Sequence, residues 1–278
     1  MRRFLCSLSL ALAATTASAD VELGAYQQYQ TRFGPAQVTG EIYQQSLSVL
    51  GAALPVETDY RWTILGAYAL AEADHDWLLA THHHGGNMCG PGITVIRVSE
   101  ARVQPMGETG GCEGALRDLR VYPEALELDI YRDGMRQQFT TYRFSDEGQL
   151  ETPSELPFAS GQSAGAGPEA QRWIGEHPYE IFRHADERAR FLTIMTVEEI
   201  RDLSTRIGPA NNVIQRGDWV LGAGCMAHSC NISGGVWGIR ISDGTPAAAL
   251  LDAGRPPVTY GAEAGDPVFR GWINEHSN

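Results

Sequence analysis

The chain has 278 residues, with 34 acids against 21 basic side chains and a formal net charge of −13. An acidic excess of this size repels nucleic acid and anionic membrane surfaces, so it excludes both as partners and leaves cationic ones. With 43% hydrophobic residues, the chain can bury one large core or two smaller ones.

The N-terminus carries Arg2 and Arg3, an apolar stretch from Phe4 to Ala13, and the small tripeptide Ala17-Ser18-Ala19. This three-part layout predicts a secretory signal peptide over residues 1–19, cleaved after Ala19, and hence a periplasmic protein. The apolar run is shorter than the roughly 20 residues a membrane-spanning helix needs, and no later stretch approaches that length. Cleavage would remove Cys6 and both arginines, leaving 259 residues at a formal charge of −15. Cys89, Cys112, Cys225 and Cys230 then remain, an even number that predicts two disulfides in an oxidising compartment. Of the three possible connectivities, sequence separation favours Cys89–Cys112 with Cys225–Cys230.

The first half of the mature chain reads as a β-rich domain over residues 20–157. Trp77–Ala80, Ile93–Val98, Ala125–Tyr131 and Gln138–Phe144 are short, β-branched or aromatic runs separated by glycine and proline, which predicts an antiparallel sheet. The segment Glu41–Ala53 is expected as a helix packed on it. Between these lie His75 and the run His82, His83 and His84, a candidate metal-binding cluster that Asp74 and Asp76 could extend with oxygen ligands. Adjacent residues of a strand face opposite ways, so no established ligand spacing emerges and a polar turn pinned by Cys89–Cys112 is the plainer reading. Residues 158–167 are small and flexible and predict a linker.

The second half, 168–278, begins with helical patterning: a helix start over Ala170–Trp173 and a longer helix over Tyr179–Arg190. Thr196 and Glu199 have the spacing of a capping box, opening a helix through Ile200 and Leu203 that Gly208-Pro209 stops. Strands follow over Asp218–Ala223 and Val236–Ile241, arms of a hairpin with Cys225-Met226-Ala227-His228-Ser229-Cys230 at its tip. The fold class predicted for the whole is α+β. No phosphate loop occurs, and no enzyme activity and no cofactor are expected.

A disulfide across four intervening residues restricts the unfolded chain by only about 2 kcal/mol. Its larger effect is to stiffen a protruding loop, so that an apical side chain meets a partner in one geometry. His228 is the side chain suited to this, because imidazole donates and accepts, and imidazolium donates from both nitrogens. The motif Cys225-x-x-His228-x-Cys230, with a strand on each side, resembles the inhibitor of vertebrate lysozyme (Ivy) family of bacterial periplasmic proteins. The resemblance covers residues 168–278. It departs at Met226, Ala227 and Ser229 from the usual Cys-Lys-Pro-His-Asp-Cys form. It implies an antiparallel sheet with packed helices and a loop that enters the cleft of a c-type lysozyme, where His228 bonds to the catalytic carboxylates. The expected function is inhibition of a basic glycosidase, either c-type lysozyme or lytic transglycosylase. Metal binding through His75 and His82–His84 is the alternative.

Overall fold

The computed structural model describes residues 23–42, 44–54, 61–83, 91–110, 114–161 and 167–277. The expected leader, the Cys89–Cys112 bond, His84 and residues 162–166 of the expected linker lie outside the described residues. The fold is α+β, with four antiparallel sheets and a few helices. The chain divides into two compact units, 1–131 with 140–153, and 132–139 with 154–278.

The first unit is a stack of three sheets. β1 (Gln28–Thr31), β2 (Gly34–Thr39), β3 (Ser46–Val49) and β4 (Ala52–Ala53) form a meander. β5 (Arg61–Tyr68), β6 (His75–His83), β7 (Gly92–Ser99) and β8 (Val103–Glu108) form a second. β9 (Leu116–Val121), β10 (Ala125–Tyr131), β11 (Gln138–Ser145) and β12 (Gly148–Glu155) form a third. The middle sheet is covered on both faces. Leu78, Ala80, Ile96 and Val98 pack with Leu47 and Val49 of the first sheet, while Trp77, Leu79 and Val95 pack with Leu126, Leu128 and Phe144 of the third. Double coverage explains why β6 and β7 read as continuous apolar runs instead of alternating ones.

The expected helix over Glu41–Ala53 is not formed; the segment is β3 and β4. Gln45, Leu47 and Val49 are buried at a period of two, the spacing of a strand. Leu50 and Gly51 both have positive φ, 53° and 80°, and close a two-residue hairpin in which Val49 pairs with Ala52. That turn needs left-handed backbone, which a helix interior excludes.

The second unit is a five-stranded antiparallel sheet between two helical layers. Its strands run in order β13 (Ile214–Arg216), β14 (Trp219–Cys225), β15 (Ser233–Arg240), β16 (Pro246–Asp252) and β17 (Val258–Tyr260). On one face Val220, Trp237, Ile239 and Ala248 pack with Phe182, with Phe191 of α1 (Ala185–Phe191), and with Ile200 and Leu203 of α2 (Val197–Thr205). On the other, Trp219, Leu221, Val236 and Ala249 pack with Phe269, Trp272 and Ile273 of α3 (Pro267–His276). The capping box forms as expected: Thr196 Oγ1 accepts from Glu199 N at 3.3 Å and Glu199 Oε2 accepts from Thr196 N at 2.7 Å. The helix expected over Tyr179–Arg190 is instead a 3-10 turn, Glu180–Arg183, and α1, separated by His184 in extended conformation as the cap of α1. Ala170–Trp173 likewise lies in a 3-10 turn, Gly167–Trp173.

Residues 132–139 belong to this second unit because of Arg188. Its buried guanidinium donates to the carbonyls of Phe158, Met135 and Phe182, and Met135 lies in the helical core. The stretch expected as a linker begins packed: the Phe158 ring lies under Arg188 and Arg201, and Ser160 N donates to Ala185 O at 3.0 Å. No helix among the described residues is long and apolar enough to cross a membrane.

Candidate functional site

β14 and β15 pair over seven positions, from Trp219↔Arg240 to Cys225↔Gly234, and the loop between them is closed by the Cys225–Cys230 disulfide. Its backbone is braced independently of the sulfurs. Met226 N donates to Ser233 O, Ser229 N to Met226 O, and both Ile232 N and Ser233 N to Ser229 O, each at 2.9 Å. Two consecutive turns result. The first, Met226 to Ser229, places Ala227 and His228 at its corner, and both are exposed.

His228 has a φ of 64°, one of three positive-φ residues other than glycine among the described residues. A side chain in this region is crowded against its own carbonyl, at a cost of about 1–2 kcal/mol. The closed turn demands that backbone at its third position, where glycine would be the unstrained choice. Neither His228 ring nitrogen bonds to a described residue.

The base of the loop is clamped from the side. Residues 207–211, after α2, run against β14, where Ala210 bridges to Gly224 and Cys225 N donates to Pro209 O at 2.9 Å. Gly224 permits this approach: a Cβ there would sit 2.8 Å from Ile207 Cα and 2.9 Å from Pro209 O. The Gly208-Pro209 pair therefore does more than end a helix. It forms one wall of the loop's base.

Beside that base lies a groove of about 440 Å³, bordered by Cys225, Cys230, Ile232, Arg255, Pro257 and His276. Its carboxylates are already answered. Asp252 accepts from Arg206 at 2.7 Å and Glu275 from Arg216 at 2.5 Å, and these hydrogen bonds hold both carboxyls below their ordinary range. His276 Nδ1 bonds to Trp272 O at 2.9 Å. The groove has no sequence signature, because segments near 210, 255 and 276 meet only in the folded sheet. Only the Asp266-Pro267 cap and first-turn pair announces α3, which supplies its third wall.

The histidines of β6 are placed differently. His75 is buried at one end of the strand, its Nδ1 2.8 Å from Asp74 Oδ1 and its ring edge-on to Trp77. The hydrogen bond from His75 holds the Asp74 carboxyl below its ordinary range. His82 is buried near the other end, with Nδ1 3.0 Å from Thr94 Oγ1, Nε2 3.4 Å from Glu108 Oε2 and its ring against Trp62. An odd separation along one strand sends the two rings to opposite faces. Among the described residues no three His, Cys, Asp or Glu side chains gather where one metal ion could be held.

No protein-family model, curated protein or solved structure matches this chain.

Proposed function

We propose that the protein is a periplasmic inhibitor of a cell-wall glycosidase, a c-type lysozyme or lytic transglycosylase, and that it occludes the active-site cleft with the Cys225–Cys230 loop. The observation that carries this reading is His228: exposed at the apex of a covalently closed turn, in left-handed backbone, and bonded to nothing of its own among the described residues. Backbone strain of this kind clusters at functional sites, which supports the reading without carrying it alone. A glycosidase cleft offers what the ring lacks, two carboxylates flanking the bond that is cut. The acidic balance of the chain supports a basic partner, since opposite net charge speeds encounter at low salt.

The test is inhibition of both enzyme classes by the purified protein from residue 20 onward, with peptidoglycan as substrate. The wild type should inhibit one class at micromolar concentration or below. His228→Ala should weaken that inhibition about tenfold or more, the loss expected for one charge-assisted hydrogen bond. No inhibition of either class by the wild type would end this reading.

A further inference from the structure

The loop and the groove beside it share both sulfurs and Ile232, so whatever meets the one lies against the other. Ile232 is 58% exposed, two residues beyond Cys230, and exposed Pro209 and Ala253 border the same groove. The polar side of the groove is uneven in charge. Asp252 and Glu275 each accept a hydrogen bond from an arginine within the unit, whereas the exposed Arg255 guanidinium, whose charge also acts on Asp252, makes no close ion pair among the described residues. On an acidic protein, this groove therefore presents the apolar side chains of Ile232 and Pro257 beside a cation, a pair that fits an apolar side chain next to a carboxylate.

We propose that the groove is the second contact of the inhibitory face, taking from the rim of the target's cleft an aliphatic or aromatic side chain against Ile232 and Pro257 and a neighbouring carboxylate against Arg255. This rests on the inhibitor reading of the loop and extends it from a single imidazole to a surface. A saccharide-cleaving cleft supplies both groups, because such pockets are walled by apolar and aromatic side chains and carry carboxylates. The division of labour follows from position. His228 reaches deepest at the turn's corner, and the groove at the loop's foot sets how the loop enters.

Arg255→Glu and Ile232→Asp test it in the same inhibition assay, with Arg255→Lys as the conservative variant. Both side chains are exposed, so the melting temperature should stay at the wild-type value. Arg255→Glu should weaken inhibition about tenfold, because it places like charges together, and Arg255→Lys should retain most of it. Ile232→Asp should weaken it by a similar factor through burial of an unanswered charge. Combined with His228→Ala, the Arg255→Glu loss should multiply instead of saturating, since two different carboxylates are addressed. If the wild type inhibits and both variants stay within about twofold of it, the groove proposal falls while the loop reading stands. A wild type that inhibits neither enzyme class overturns both.

Discussion

The histidines of β6 and the histidine of the β14–β15 loop are the same side chain under opposite physical demands. On β6 the middle sheet is covered on both faces, so His75 and His82 leave water and bond to neighbours: His75 Nδ1 to the exposed Asp74, His82 to buried Thr94 and exposed Glu108, with His75 Nε2 left unanswered. In the loop, the turn holds His228 out in solvent, and no described residue answers it. Adjacent histidines draw attention in a sequence, yet His82 and His83 lie on one strand and face opposite ways. The single histidine between two cysteines stands exposed at the corner of a turn.

The widest contrast comes from asking what each buried polar group costs when its partner is removed. The largest effect is expected at Glu187, a fully buried carboxylate in α1 that accepts from Arg190, Arg172 and Trp173 Nε1 at 2.8 to 2.9 Å. Glu187→Leu removes the carboxylate to which the Arg190 guanidinium, only 5% exposed, donates at 2.8 Å. Urea unfolding should show a loss of about 3–5 kcal/mol, the cost of breaking a buried pair from one side. His82→Ala comes next, at about 2–4 kcal/mol, since it opens a cavity against Trp62 and takes a partner from the buried Thr94 hydroxyl. A His82→Ala protein as stable as the wild type would mean that the ring is not part of the packed interior.

That contrast also explains which features were legible in the residues. Trp77–Ala80 and Ile93–Val98 were recognisable as strands because they are short and β-branched or aromatic. The number of sheets was not, because a strand buried on both faces carries no mark of which layers cover it. Glu41–Ala53 looked helical until the Leu50–Gly51 turn and the period-two burial of Leu47 and Val49 are seen together. Tyr179–Arg190 kept helical spacing across His184, whose extended backbone divides it. The loop was legible because its chemistry is local: two cysteines, one histidine and a strand on each side within about twenty residues. Arg188's hold on Phe158, Met135 and Phe182, like the groove beside the loop, joins segments far apart in the chain and leaves no local pattern.

The smallest expected change in stability is the one that most sharpens the comparison. At His228 the backbone lies at φ 64°, so a residue with a Cβ is strained there and glycine is not. His228→Gly releases about 1–2 kcal/mol of that crowding, and the added freedom of glycine in the unfolded chain takes back about 0.5–1 kcal/mol. The net should be a protein at least as stable as the wild type, by up to about 1.5 kcal/mol, read as a higher urea midpoint at unchanged slope. The same variant should inhibit no better than His228→Ala. Opposite signs from one substitution, a gain in folding and a loss in binding, would identify an imidazole kept for its partner at the expense of its own fold. A lower midpoint would instead show that the ring contributes to the loop's own packing, and would move His228 into the same class as His75 and His82.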